Sequence, residues 1–129
     1  MDKLFTLVLP DDEVVLKTLG KVFPYHLWGY GMIELSRIYL HKEPGIGFLY
    51  ASIGKLIQEG LVERKKETTI EELVSLYNDL LRFQKVNPAD LKVPNSPRPI
   101  YRLTDDGYRV KEERYNAAQV PSSAIWVPA

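Results

Sequence analysis

The chain contains no cysteine. A disulfide framework and a thiolate metal site are therefore both excluded, and the redox state of its surroundings leaves no mark on the sequence. Histidine is nearly as scarce: His26 and His41 alone are too few for a histidine-rich metal site. No apolar run approaches the ~20 residues that a membrane-spanning helix needs. The N-terminal stretch MDKLFTLVLPDDEVV has only a short apolar run, interrupted by Pro10 and two aspartates. It lacks the long apolar core and small-residue cleavage site of a secretory signal, so the expectation is a cytoplasmic protein without a membrane partner. Net charge is missing too. Seventeen Lys and Arg balance seventeen Asp and Glu, so bulk charge gives no support to nucleic-acid binding.

What the sequence does hold is apolar material and an uneven charge distribution. With 129 residues, 45% hydrophobic and 26% charged, it is read as one domain spanning 1–129 with enough side chains for a core. From Gln84 to Arg102 the cations Lys85, Lys92, Arg98 and Arg102 face the single acid Asp90, a local balance of plus three. Arg64, Lys65 and Lys66 form a second basic cluster, and the two would make one positive face if the fold joins them. The alternative is an ordinary solvated charge run.

Five helices and two strands are predicted. Asp11 and Asp12 precede EVVLKTLGKVF, where Val14, Val15, Leu19 and Val22 give one apolar stripe, acids occupy the favourable first turn and Pro24 ends the helix. A second helix over about 30–41 carries Met32, Ile33, Leu35, Ile38 and Leu40 and is broken by Pro44, Gly45 and Gly47. A third carries Leu49, Ile53, Leu56 and Ile57 and stops at Gly60, where a left-handed cap is expected. Residues 61–66 read as a strand. Thr68 or Thr69 with Glu71 and Glu72 starts a fourth helix, whose stripe is Ile70, Leu73, Val74, Tyr77, Leu80 and Leu81. VNPADLKVPNSPRP is loop, residues 100–103 are a strand, and Thr104 caps a last helix over DDGYRVKEERYNAA. Residues 117–129 form an extended tail.

Three helices followed by two hairpin strands is the order of a winged helix-turn-helix domain, whose third helix enters the major groove while the hairpin lies along the backbone or in the minor groove. The fold class is thus α+β, mainly helical, with residues 67–97 a helix-containing insertion in the wing. Three blocks of the sequence resemble the PadR family of transcriptional regulators. Gly29-Tyr30 is similar to the dipeptide that opens that family's second helix. Gly47, Leu49, Tyr50, Ile53, Lys55, Leu56, Glu59, Gly60, Leu61 and Val62 resemble its recognition helix, and Tyr101 to Gly107, YRLTDDG, resembles its second wing strand and the start of the following helix. The blocks are collinear and cover about half of the chain. The resemblance implies a dimeric repressor of transcription that acts by occupying a promoter. Four features depart from it: Phe48 stands where the family usually has Ser or Thr, Gly54 interrupts the third helix, the wing is long, and the C-terminal dimerisation helix is reduced to one helix and a tail.

The expected DNA-binding residues follow from these placements. Tyr50 resembles the family tyrosine near DNA, with core packing as the other reading. Ser52 and Lys55 are read on the face opposite Ile53 and Leu56, free for phosphate or base contacts, a solvated lysine being the alternative for Lys55. Arg64 and Lys66 share one face of a strand and Lys65 the other. Arg98, between Pro97 and Pro99, is held on stiff extended backbone, which suits a phosphate or a narrow minor groove. Tyr30 and Arg102, within the matched blocks, complete the set. The fourth helix either packs on its own domain or meets a second copy; a homodimer through Ile70, Leu73, Val74, Tyr77, Leu80 and Leu81 is favoured, with Ile125 and Trp126 covering part of that surface.

Catalysis has little footing. Asp105 and Asp106 fit a helix start better than a pair of catalytic acids, Glu34 and His41 have no nucleophile or third ligand, and the GIG at 45–47 lacks the lysine and serine of a phosphate loop. The function expected is that of a duplex-DNA-binding regulator without a cofactor and not an enzyme. The rival from another class is a winged helix retained as a protein-interaction module that does not bind DNA, which the neutral overall charge favours.

Overall fold

A computed structural model describes residues 10–116. Helix α1, Pro10–Val22, starts with three acids in its first turn and buries Val14, Val15, Leu16, Leu19 and Val22. Acids at that end satisfy the partial positive charge of unpaired backbone N–H groups. A two-residue strand that periodicity did not predict follows, β1 at Leu27–Trp28. Helix α2, Gly29–Leu35, then runs into one π-helical turn at Ser36–Leu40, which ends on His41 in the left-handed region at φ 55°. The α-helical part is therefore shorter than expected and Ile38 is exposed. The Ser36 hydroxyl donates to the Lys42 carbonyl at 2.7 Å, an alternative partner of the kind that ends regular helices.

Helix α3, Ile46–Gln58, buries Leu49, Ile53 and Leu56 against α1. Gly60 closes it at φ 76°, with the Gly60 N–H donating to Ile57 at 3.0 Å and the Leu61 N–H to Leu56 at 2.9 Å. That pair of bonds satisfies carbonyls a helix end leaves open. Strand β2 is Val62–Lys65 and β3 is Ile100–Leu103, as the spacing predicts. The sheet is antiparallel in the order β1-β3-β2, with Trp28 opposite Ile100 and Arg64 opposite Tyr101. Helix α5, Asp105–Lys111, is capped by the Thr104 hydroxyl, which accepts the Gly107 N–H at 2.9 Å. A π-helical turn over Glu112–Asn116 follows it. The molecule is α+β and mainly helical.

Between β2 and β3 lies helix α4, Ile70–Arg82, started by a capping box in which Thr69 and Glu72 exchange bonds. Its apolar stripe corrects the dimer surface expected from sequence. Leu73 and Leu80 are fully buried in the core of their own chain, and Tyr77 and Leu81 pack against that core, leaving only Ile70 and Val74 of the six exposed. The reason is the loop that follows. It folds back so that Val86 and Leu91 join the core, the Tyr77 hydroxyl reaches the Pro88 carbonyl at 3.3 Å, and Phe83 stacks on Tyr25 at 5.6 Å. A 3-10 turn, Pro88–Asp90, is pinned by Tyr39, whose hydroxyl donates to Asp90. The extended tail expected over 117–129, with Ile125 and Trp126, lies outside the described residues, as does the N-terminal segment 1–9.

Candidate functional site

The pairing of β1 with β3 brings two distant segments together. Trp28 lies opposite Ile100, so the chain entering α2 (Gly29, Tyr30) borders the chain entering β3 (Arg98, Pro99). Tyr50, from the first turns of α3, closes the third side. Together they line a cleft of about 300 Å³. The Tyr50 hydroxyl rests directly over Gly29: a methyl group there would overlap it, so the glycine is what lets α2 and α3 meet at this point. Thr68, itself buried, holds the opposite wall. Its hydroxyl donates to the Arg98 carbonyl at 2.6 Å and accepts the Arg98 N–H at 3.2 Å, fixing the backbone between Pro97 and Pro99. The Arg98 side chain thus projects from a clamped segment and forms no ion pair among the described residues.

Burial pushes the Tyr50 phenol above its usual pKa, while the Arg98 charge opposes the shift and Tyr30 adds to it. The Tyr101 phenol is raised likewise by burial first and then by Tyr50, with Arg64 opposing. These couplings follow the geometry. The Tyr50 and Tyr101 rings lie 6.4 Å apart, and Arg64 is the cross-strand partner of Tyr101, so both point to the same side of the sheet. Arg64, Tyr50, Tyr30 and Arg98 are therefore exposed around the buried Tyr101, with Tyr30 55% and Tyr50 41% exposed.

The other expected contact residues lie elsewhere or are engaged. Ser52 is fully buried, which corrects its assignment to the free face. It stands three residues after Leu49 and four before Leu56, and that spacing puts it inside the buried stripe. Lys55 is held by Asp12 of α1 at 2.8 Å and by Glu59 at 3.3 Å. Burial disfavours its charged form, but these two carboxylates outweigh that and raise its pKa. Lys65 pairs with Glu72 at 2.7 Å, and Arg102 pairs with Glu63 at 3.2 Å and donates to the Pro24 carbonyl at 3.5 Å. Both lie off the surface just described. Lys66, one residue past β2, is exposed and forms no ion pair among the described residues.

Most of the solvent face of α3 is small or apolar, with Gln58 at its C-terminal end the polar exception. Gly47, Ala51 and Gly54 lie along it and Phe48 is 76% exposed. A methyl group on Gly54 would meet nothing within 4 Å, so close packing on α2 is not what the glycine serves. Sequence reasoning missed Trp28 and Asn95, placed Lys92 only in a basic segment and weighed Glu34 only with His41; all four line the cleft. The signal for Trp28 was β1, too short for any periodicity to register. Among the described residues no cluster of His, Asp or Glu is arranged to hold a metal ion, and no helix is long and apolar enough to cross a membrane. No protein-family model, no curated protein and no solved structure matches the chain.

Proposed function

We propose that the protein is a duplex-DNA-binding regulator of transcription built as a winged helix-turn-helix, with β2 and β3 as the wing and residues 67–97 as an insertion within it. The observation that carries this reading is the shared surface of Arg64, Tyr50, Tyr30 and Arg98 beside α3, where Arg64 and Arg98 form no ion pair among the described residues. Unpaired cations on the wing would displace counterions from phosphates and supply most of the affinity. The small residues on the outer face of α3 would let its backbone approach the groove floor closely. Occupying a promoter in this way represses by exclusion, and the resemblance to PadR regulators supports it. The reading includes a homodimer, for which Ile70 and Val74, exposed one turn apart on α4, supply the apolar contact. Light scattering at rising concentration checks it.

The test is fluorescence anisotropy with duplex DNA over a salt series, comparing the wild type with Arg64→Ala/Lys66→Ala. The wild type should bind with a steep dependence on salt, and the double variant should bind more weakly with a slope shallower by about two. No binding at low salt defeats the reading. A second reading, a winged helix that docks a protein, is favoured by one observation: Phe48, Ala51 and the two glycines give α3 an apolar outer face with few donors for base edges. Such a module would bind its partner with little dependence on salt.

A further inference from the structure

The cleft beside α2 is more closely built than a surface for double helix requires. Its walls hold two exposed aromatic rings, Tyr30 and Tyr50, over the almost wholly buried Trp28, and two cations, Lys92 and Arg98. Glu34 and Asn95 add an acceptor and an amide, and Pro94 and Pro99 stiffen the rim. The Glu34 carboxylate also accepts the Lys92 backbone N–H at 3.4 Å, tying the loop wall to α2. Every wall is therefore anchored: Trp28 by the sheet, Tyr50 by contact with Gly29, the loop by Glu34 and by Thr68. A concave site that is mostly apolar, largely preformed and supplied with a few convergent polar groups is the kind that takes small molecules, and about 300 Å³ lies at the small end of that range.

The chemistry of the lining narrows the ligand. Aromatic walls favour a planar ring, which stacks on them. Two cations against one carboxylate leave the cleft positive, so the ring must carry an anionic group, and an arginine fork suits a phosphate or carboxylate. Glu34 and Asn95 would stand idle beside a plain aromatic acid, whereas a heterocycle edge or sugar hydroxyls would satisfy them. We infer that the cleft binds a nucleotide-sized anion, a nucleoside monophosphate being the class that joins a planar heterocycle to one phosphate. The ring sits between Tyr30 and Tyr50, above the edge of Trp28, and the phosphate meets Arg98 and Lys92. Because Tyr30, Tyr50 and Arg98 also belong to the proposed DNA surface, an occupied cleft withdraws them from it.

The measurement is isothermal titration of the full chain, without DNA, using AMP, GMP, CMP and UMP, with adenosine and inorganic phosphate as separate arms. At least one nucleotide should bind one-to-one with a dissociation constant below about 1 mM. It should bind at least about tenfold more tightly than either half of the molecule alone, and Arg98→Ala and Tyr30→Ala should each weaken it about tenfold. Both residues are exposed, so neither substitution threatens folding. Lys65→Ala, which removes a cation paired with Glu72 outside the cleft, should leave it unchanged. Three results each overturn the inference: no saturable binding of any nucleotide, phosphate or adenosine binding as tightly as the nucleotide, or affinity that survives both cleft substitutions. No DNA enters the measurement, so its failure and that of the DNA reading are separate.

Discussion

Gly107, which matches the family pattern, and Gly54, which departs from it, differ in what surrounds them. Gly107 is buried, and a methyl group there would overlap the Leu61 carbonyl, a backbone atom that cannot swing aside. The Leu61 carbonyl is already fixed, since it accepts the Thr104 N–H at 3.0 Å. Gly107→Ala should therefore lower stability by about 1–3 kcal/mol or more, as overpacking does, read as a lower urea midpoint. Gly54 stands in open space inside α3, so Gly54→Ala should raise stability by about 1 kcal/mol through helix propensity alone. His26 supplies a pH response. Burial first, and then the Arg102 and Lys65 charges against the opposing Glu63, lower its pKa below the ordinary 6.5. The unfolded chain thus takes up the proton first as pH falls, so stability is kept above that value and lost as acidification proceeds through the lowered folded pKa. His26→Gln should flatten the stability profile on the acid side of the ordinary histidine pKa of 6.5.

Helix α4 separates burial within the chain from contact with a second copy. Leu80 has no exposed surface, so Leu80→Ala should cost about 2–5 kcal/mol at any protein concentration. Val74→Ala, on the solvent face, should stay within about 0.5 kcal/mol in the monomer, measured by chemical unfolding at low concentration. Reversal of that order would return the helix to the role its sequence suggested. The elements themselves were legible where local chemistry decides them: the Thr104 and Thr69 caps, the Gly60 stop and both longer strands stand where the spacing puts them. Ser52 was misplaced because a polar side chain inside an apolar stripe looks like an outward one, although its spacing from Leu49 and Leu56 argued otherwise. The cleft was only half legible. Arg98 announced itself through its flanking prolines, but Trp28 reaches the cleft through the β1–β3 pairing and Lys92 through the bond of its N–H to Glu34, contacts between distant parts of the chain that no local pattern encodes.

The charge of the whole molecule sets the last expectation. Lys and Arg equal Asp and Glu in number and the isoelectric point is near 6.7, so no long-range field draws the chain toward a polyanion at neutral pH. Attraction to DNA must then come from cations that the protein has not already neutralised. Lys55, Lys65 and Arg102 have carboxylate partners at 2.8, 2.7 and 3.2 Å, and a phosphate would have to displace these to gain anything. Arg64, Lys66 and Arg98 need no such exchange among the described residues. Each phosphate contact contributes about 0.9 to the logarithmic salt slope, so three give a slope near −3, and removing any one should bring it to about −2. Removing Lys65 or Arg102 should leave it near −3. The converse, a slope that follows Lys65 and Arg102 while ignoring Arg64 and Arg98, would put the nucleic acid on the face of the sheet that carries Lys65 and Arg102, opposite the one that carries Arg64.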